Sequence, residues 1–213
     1  MKETLTIALP KGRIQKDTEK IFSNAGITIP KKENSDDRRL IFENKEDNLR
    51  FMIVRAQDVP TYIEFGAADI GIAGSDVLIE QGRDLYEPLD LKIGKCRLSV
   101  AEPVELKKSD NPGNWTHIRV ATKYPNITKK YFSDKGIQTE LIKLYGSIEL
   151  APILGLSERI VDLVETGETM RQNGLIEVET IMEVSSRLIV NRASLKTKPK
   201  RVKSLVEKLS KVI

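Results

Sequence analysis

The segment around Thr166 carries residue types that suit the binding of a phosphate group. Thr166, Gly167 and Thr169 directly follow the short apolar run 160–164, which is broken only by Asp162. A turn that leads from a strand into a helix leaves backbone N–H groups unpaired, and the helix dipole adds partial positive charge there. An anion is therefore a natural ligand for this turn, and Asp162 can accept hydrogen bonds from sugar hydroxyls.

The same spacing is also typical of a tight turn with a threonine N-cap. Glu165 and Glu168 would repel a phosphate unless cations offset their charge. The motif by itself leaves both interpretations open, so the rest of the chain has to separate them.

Two further strand ends carry cations. Lys11, Gly12 and Arg13 follow the apolar run 5–9, and Arg55 directly follows the run at 49–54. Open α/β sheets bind ligands at the carboxyl ends of their strands. These cations are candidate ligands for an anion, although each is also compatible with a solvated surface charge.

The segment from Asp69 to Asp76 is a predicted strand followed by another glycine-bearing turn. Gly71 and Gly74 belong to a predicted strand and to the turn after it. Small residues let a flat ring or a phosphate approach the backbone closely. The plain alternative is a tight connection between a strand and a helix.

Strands and helices alternate along most of the chain, which is typical of the α/β class. The pattern changes near Gly94 and returns near Val184, so we predict two lobes with the second inserted in the first. The predicted boundaries are 1–94 plus 184–213 for the first lobe and 95–183 for the second. We also expect polar loops at 31–37 and 105–114, a helix over 147–154 with Ser147 as its N-cap, and no regular pattern over 175–184.

Composition excludes several kinds of chemistry. Cys96 and His117 are the only cysteine and histidine among 213 residues, which excludes an internal disulfide framework, a histidine metal cluster and a Ser-His-Asp triad. Neither a G-x-G-x-x-G nor a Walker lysine motif occurs. No apolar stretch reaches about 18 residues, so we expect no membrane segment, no signal peptide and a cytoplasmic location.

The features that remain as candidates for binding or catalysis are glycine-bearing turns and cations at the ends of strands. The net charge of +4 is mild, and it favours anionic small molecules without requiring nucleic acid. The arrangement suits a polyanionic substrate held by backbone and arginine groups, with catalysis by positioning and charge. The candidate cations are Lys11, Arg13, Arg38, Arg39, Arg55 and Arg97.

Several blocks of sequence together resemble the ATP phosphoribosyltransferase family, which catalyses the first step of histidine biosynthesis. The resemblance covers nearly the whole chain, and its most specific block is residues 146–170. It implies a two-lobe fold like that of type II periplasmic binding proteins. The blocks are P-K-G-R (10–13), V-R-A-Q-D-V-P (54–60), A-D-I-G-I-A-G-S-D-V-L (68–78), C-R-L-S-V-A (96–101), and G-S-I-E-L-A-P through D-L-V-E-T-G-E-T-M (146–170).

The resemblance also implies substrates and residue roles. ATP and phosphoribosyl pyrophosphate would react to give phosphoribosyl-ATP and pyrophosphate, with Mg²⁺ carried by the substrate phosphates. Carried over position by position, the resemblance implies that the 5′-phosphate is held by Thr166, Gly167, Glu168 and Thr169, and the ribose hydroxyls by Asp162. The pyrophosphate or the ATP phosphates would be faced by Lys11, Arg13 and Arg55. The ATP side would be lined by Asp69, Gly71 and Gly74. Lys11 and Arg55 are the predicted catalytic residues. Arg39, Arg97 and Glu149 complete the predicted substrate-binding set without individual roles.

The chain ends at Ile213, where the family's long form continues into a regulatory domain, so it resembles the short form. That form implies a homodimer within a hetero-oligomer, together with a regulatory subunit that resembles histidyl-tRNA synthetase. The alternative is a non-catalytic two-lobe protein that binds a small anion, or an effector domain. We interpret the basic run 196–203 as solvated charge on the last helix, and therefore expect no nucleic-acid partner.

Overall fold

The computed structural model describes residues 3–30, 38–107 and 117–213. The chain divides into two compact units, one formed by Met1–Gly94 with Ser185–Ile213 and the other by Lys95–Val184. Each unit has its own sheet, which confirms the predicted α/β class. Val184 lies in the second unit, not in the first as predicted, because it ends a strand of the second sheet. The loop predicted at 31–37 lies outside the described residues, as does most of the one at 105–114.

The helices and strands follow one another in alternation. In the first part of the chain they are β1 (Leu5–Pro10), α1 (Arg13–Asn24), β2 (Ile41–Asn44), β3 (Leu49–Val54), α2 (Val59–Glu64), β4 (Ile70–Gly74), α3 (Ser75–Gln81) and β5 (Tyr86–Asp90). The second unit contains β6 (Cys96–Pro103), α4 (Val104–Lys107), β7 (His117–Thr122), α5 (Pro125–Asp134), β8 (Gln138–Lys143), α6 (Leu150–Ile153), β9 (Arg159–Val164), α7 (Glu168–Gln172) and β10 (Leu175–Val184). The chain then returns to the first unit through β11 (Ser186–Val190), α8 (Arg192–Thr197) and α9 (Pro199–Ser210). No helix within the described ranges has the length and apolar character that a membrane crossing requires.

The first sheet has the order β2-β3-β1-β4-β11-β5, and its central strands β3, β1 and β4 are parallel. Their apolar runs are buried because helices cover both faces of the sheet. Apolar residues of α1 and α9, which recur at helical spacing, pack on one face. Val59 and Ile63 of α2 pack on the other face, against Ala8 and Ala73. This packing fixes the edge of the sheet at which β1, β3 and β4 end.

The second sheet has the order β10-β6-β9-β7-β8, with β9, β7 and β8 parallel. The long strand β10 is one of the elements that the sequence did not predict. Its register against β6 shifts between Glu177 and Glu179 and again between Thr180 and Met182. Each shift is an irregularity of the β-bulge kind that breaks the alternation of buried and exposed residues on which strand prediction depends.

Helix α6 is shorter than predicted, and its N-cap is Glu149, not Ser147. Ser147 has a φ of 49°, a left-handed backbone conformation that differs from the extended one typical of an N-cap. The prediction for Ser147 was therefore wrong. The segment around it forms a tight turn after β8.

Gly71, predicted as a substrate-binding residue, has a packing role in the first sheet. It is buried within β4, and a Cβ at this position would lie 2.7 Å from Val59 Cγ1 and 2.9 Å from Ile63 Cγ1. Only glycine allows α2 to approach β4 this closely.

We expect Gly71→Ala to lower the free energy of unfolding by about 1–3 kcal/mol, because the added methyl group overpacks the contact between α2 and β4. Urea unfolding measures this change. Gly146→Ala is the matched control, since a Cβ there meets no atom within 4 Å. Equal stability of the two variants would contradict the packing role.

Candidate functional site

In the first unit, three predicted site segments follow neighbouring parallel strands and lie at one edge of the sheet. Pro10 pairs with Val54, and the Lys11 amide donates to the Val54 carbonyl at 2.8 Å. β4 is in register with β1 on its other side, and Gly74 follows at the end of β4. The structure therefore brings Lys11, Arg55 and Gly74 to the same edge, as expected where the carboxyl ends of parallel strands meet.

Lys11 and Arg55 present unpaired cations at this edge. Both residues are exposed, and neither side chain has a hydrogen-bond or ion-pair partner in the described part of the chain. Gly12, with a φ of 115°, adopts a backbone conformation that favours glycine and leads into α1. Arg13, the first residue of α1, is also exposed. Lys11 and Arg55 can therefore bind an anionic ligand without first breaking an ion pair within the described residues.

Arg39 approaches the same edge from the antiparallel strand β2. Ile41 pairs with Met52, and the Ile53 amide donates to the Leu40 carbonyl at 2.8 Å. This register continues toward Arg39, which places it beside the end of β3. The Arg39 guanidinium lies 5.8 Å from the centre of the Phe42 ring, within the range of a cation–π contact.

The turn after β4 carries a carboxylate. Gly74 precedes α3, and a Cβ at Gly74 would overlap Oδ1 of the buried Asp76. The Asp76 carboxylate thus lies over Gly74 at the start of α3. A negative charge at this position disfavours a phosphate and suits hydroxyl or amino groups that donate hydrogen bonds.

Asp69, which the sequence analysis placed on the ATP side, does not lie with these residues in the structure. It precedes β4, at the opposite end of the strand from Gly74. Its carboxylate accepts from Ser194 Oγ at 2.6 Å, from Lys198 Nζ at 2.9 Å and from the Thr6 amide at 2.8 Å. A buried carboxylate with three partners fastens β4 to the final helices and has a structural role.

In the second unit, residues 165–169 follow β9 and include the first two residues of α7; they are called here the phosphate loop. Gly167 has a φ of 76° and is the N-cap of α7. The Glu168 amide donates to Thr166 Oγ1 at 3.3 Å. In contrast, the backbone amides of Thr166, Gly167 and Thr169 have no acceptor in the described part of the chain. Helix α7 has only five residues, so these amides matter more than its dipole.

Arg171 supplies the cation that the sequence analysis did not identify. Its Nη2 donates to Glu168 Oε2 at 2.6 Å, and its Nη1 donates to the Thr166 carbonyl at 3.3 Å. The hydrogen bond from Arg171 lowers the pKa of Glu168, so this carboxyl is ionised and paired. A glutamate followed three residues later by an arginine, in the first turn after the loop, was the available signal.

Asp162 lies in β9 with two charged neighbours. Burial raises the pKa of Asp162, and the negative charge of Glu149 raises it further, while the Leu163 amide and Lys123 act in the opposite direction. The Leu163 amide donates to Asp162 Oδ1 at 2.8 Å. Glu149 and Lys123 therefore lie near enough to Asp162 to influence its charge. Lys123, which follows a different strand, was not among the predicted site residues.

Arg97 also lies near the phosphate loop, but its charge is already paired. It is opposite Val164 in the ladder between β6 and β9. Its Nε donates to Glu177 Oε1 at 2.6 Å, and this hydrogen bond is the main cause of the raised pKa of Arg97. Arg97 and Glu177 line an open surface pocket of about 300 Å³ together with Thr166, Gly167 and Arg171. Arg97 therefore acts as part of an ion pair and not as an isolated cation.

The partly buried carboxyl of Asp162 leads to a prediction about the pH dependence of stability. Its pKa is higher in the folded chain than in the unfolded chain, so stability falls as the pH rises through the range above 3.8. The side chain of the Asp162→Asn variant cannot ionise, and it keeps an oxygen that can accept the hydrogen bond from the Leu163 amide. We expect this variant to unfold at higher urea concentration than the parent at pH 7, with a gain that shrinks as the pH is lowered.

The exposed Asp134 on α5 provides the matched control for this measurement. Asp134→Asn removes a carboxyl without removing a buried charge, so it should show no such gain. An Asp162→Asn variant that is less stable than the parent at pH 7 would contradict the account.

Comparison with known proteins identifies the family. The family model described as HisG: ATP phosphoribosyltransferase matches residues 55–211. An ATP phosphoribosyltransferase of Syntrophotalea carbinolica is 62% identical over 213 residues, which are 100% of this chain and 97% of that relative. One of Geobacter metallireducens is 62% identical over 211 residues, 99% of each chain.

A solved structure described as the ATP phosphoribosyl transferase (HisG:HisZ) complex from Thermotoga maritima supports the same assignment. One of its chains matches with a TM-score of 0.83 and 38% identity, over 98% of each chain. This match confirms the predicted two-lobe fold. Its relatives match over nearly their full length, so the chain belongs to the ATP phosphoribosyltransferase family.

Proposed function

We propose that each sheet edge has a separate part in the transfer of a phosphoribosyl group to N1 of the adenine of ATP. The second unit binds the ribose 5-phosphate portion of phosphoribosyl pyrophosphate. The first unit supplies cations for the pyrophosphate and for ATP. The observation that carries the proposal is the phosphate loop, in which the amides of Thr166, Gly167 and Thr169 have no acceptor in the described part of the chain.

The 5′-phosphate is bound by these amides and by the hydroxyls of Thr166 and Thr169. Phosphate oxygens accept several hydrogen bonds at once, and a run of backbone N–H groups provides them without adding charge. Both threonine side chains are exposed at the loop, so they are accessible to a ligand. Glu168 contributes its backbone, since Arg171 and Gln172 already engage its carboxylate.

The ribose hydroxyls donate to the carboxylates of Asp162 and Glu149. A buried carboxylate with a raised pKa is costly to ionise, and hydrogen bonds from a bound sugar offset that cost. Lys123 favours the ionised form of Asp162. These groups orient the sugar behind the phosphate loop.

The reaction itself needs no strong base. The lone pair of adenine N1 forms the new bond to C1′ of the ribose as the bond from C1′ to the pyrophosphate oxygen breaks. Negative charge grows on the departing pyrophosphate, and cations that meet it lower the barrier. The unpaired side chains of Lys11 and Arg55 are assigned this role, with Arg13 and Arg39 binding further phosphate oxygens.

The family requires a divalent metal ion, and we assign Mg²⁺, carried by the substrate phosphates. Mg²⁺ commonly binds through one or two carboxylates plus substrate phosphates. No group of three or more His, Cys, Asp or Glu side chains arranged to hold a metal occurs among the described residues. Asp162 and Glu149 are the carboxylates suited to such shared binding. The ion would neutralise phosphate charge.

A regulatory partner is part of the proposal. The matched structure is described as a HisG:HisZ complex, and the chain covers 98% of its matched counterpart there. By analogy, this chain forms a homodimer within a hetero-oligomer that includes a regulatory subunit resembling histidyl-tRNA synthetase. Such an assembly would work in the cytoplasm, where its substrates occur.

The experiment that tests the reaction combines the purified chain with ATP, phosphoribosyl pyrophosphate and Mg²⁺. Formation of an N1-substituted adenine changes the ultraviolet absorbance and is accompanied by release of pyrophosphate. The non-catalytic alternative predicts binding of the anion without either product. Binding without turnover, in the presence of the regulatory subunit, would reject the enzymatic proposal.

We expect Arg55→Ala to reduce turnover by roughly 100-fold, because one group that stabilises the departing charge is lost. Steady-state kinetics measures the change. Arg50→Ala is the matched control. Arg50 lies on β3, the strand that Arg55 follows, and it is exposed and pairs with Glu43. An unchanged turnover with a raised Michaelis constant would reassign Arg55 to substrate binding.

We expect histidine to inhibit the chain only when the regulatory subunit is present. The proposed effector site belongs to that subunit, so the isolated chain should be insensitive. Activity is measured with and without the subunit over a series of histidine concentrations. Inhibition of the isolated chain at the concentrations that inhibit the mixture would contradict the two-subunit assignment.

A further inference from the structure

We infer that Arg171 is a positioning residue for the phosphate loop, which it serves by neutralising Glu168 and by holding the Thr166 carbonyl. This inference rests on the proposed role of the loop in binding the 5′-phosphate. Arg171 itself is not assigned a contact with the substrate.

Arg171 fastens the loop at three points. Its guanidinium donates to the Thr166 carbonyl at 3.3 Å and to Glu168 Oε2 at 2.6 Å. Its backbone amide donates to the Gly167 carbonyl at 3.0 Å. The side chain therefore engages two acceptors, a carbonyl and a carboxylate, that would otherwise repel an anion in the loop.

Gln172 completes the arrangement around the carboxylate. Its Nε2 donates to Glu168 Oε1 at 2.9 Å, so each oxygen of Glu168 has a donor. Both partners come from α7, directly after the loop. The carboxylate is thereby held by the helix while the amides of Thr166, Gly167 and Thr169 keep no acceptor in the described ranges.

Folding stability does not account for the Arg171–Glu168 pair. The two side chains are 63% and 55% exposed, and ion pairs this exposed contribute little to stability. The expected effect of Arg171 on phosphate binding is larger than the contribution of this ion pair to folding stability. An unpaired carboxylate about 6 Å from a phosphate dianion in water weakens binding by about ten-fold.

The test compares Arg171→Gln, Glu168→Gln and the double variant. Calorimetry measures the binding of ribose 5-phosphate, and kinetics measures the Michaelis constants for both substrates. Lys130→Gln is the matched control, because Lys130 pairs with Asp134 on the exposed face of α5 at 2.8 Å. Thermal unfolding of every variant establishes that the fold is kept.

We expect Arg171→Gln to weaken ribose 5-phosphate binding about ten-fold and to raise the Michaelis constant for phosphoribosyl pyrophosphate but not that for ATP. Glu168→Gln should bind at least as tightly as the parent chain. The double variant should recover most of the loss, since the unpaired carboxylate is then absent. Arg171→Lys keeps the charge but not both hydrogen bonds, so it should lie between the parent and Arg171→Gln.

Three results would overturn the inference. A double variant as weak as Arg171→Gln would mean that the unpaired Glu168 carboxylate does not cause the loss, which rejects the neutralising role of Arg171. An Arg171→Gln variant that behaves like the Lys130→Gln control would mean that the pair is an ordinary surface ion pair. Failure of the parent chain itself to bind ribose 5-phosphate would reject the proposed role of the loop, and this inference with it, before any variant is compared.

Discussion

The proposed chemistry depends on a set of backbone amides left without acceptors at the end of β9. The first N–H groups of a helix have no acceptor within it, and here the surrounding structure fixes the connection that carries them. The support comes from β9, which lies between β6 and β7 in the sheet. Gly167 permits the turn through its left-handed backbone conformation, and Arg171 holds it from the other end. The amides of Thr166, Gly167 and Thr169 are thereby available to a ligand.

Charge pairing decides which groups around this loop remain available to an anion. The cations of the second unit near the loop are paired, Arg97 with Glu177 and Arg171 with Glu168. In the first unit, the side chains of Lys11 and Arg55 have no partner within the described residues. This difference between paired and unpaired cations fits the binding roles proposed for the two units. In the proposed function, neutral amides hold a 5′-phosphate that stays bound throughout the reaction, and unpaired cations stabilise the growing charge of the pyrophosphate.

Local patterns in the sequence were sufficient to predict the secondary structure around the candidate phosphate loop. The spacing of Asp162, Thr166, Gly167 and Thr169 predicts a strand, a loop and a helix, and the structure has β9, the phosphate loop and α7 in that order. The alternation of strands and helices likewise predicted the α/β class. These features follow from neighbouring residues, so a single sequence carries them.

Contacts between distant segments could not be predicted in the same way. The partner of Arg97 is Glu177, 80 positions further on, and it lies in β10, whose register irregularities hide the strand pattern. Asp69 immediately precedes β4, and Lys198 donates a hydrogen bond to its carboxylate. This contact depends on the packing of the final helices, so neighbouring residues in the sequence do not indicate it. Gly71 lies against α2, so its packing role depends on which helix covers β4.

The measurement that tests the central claim most directly is a titration of the ¹⁵N-labelled chain with ribose 5-phosphate, followed by NMR of the backbone amides. New hydrogen bonds to phosphate oxygens change the amide shifts of the residues that donate them. The account predicts that the amides of Thr166, Gly167 and Thr169 shift most, together and with one binding constant. Saturable binding that leaves these three amides unchanged, while others respond, would contradict it.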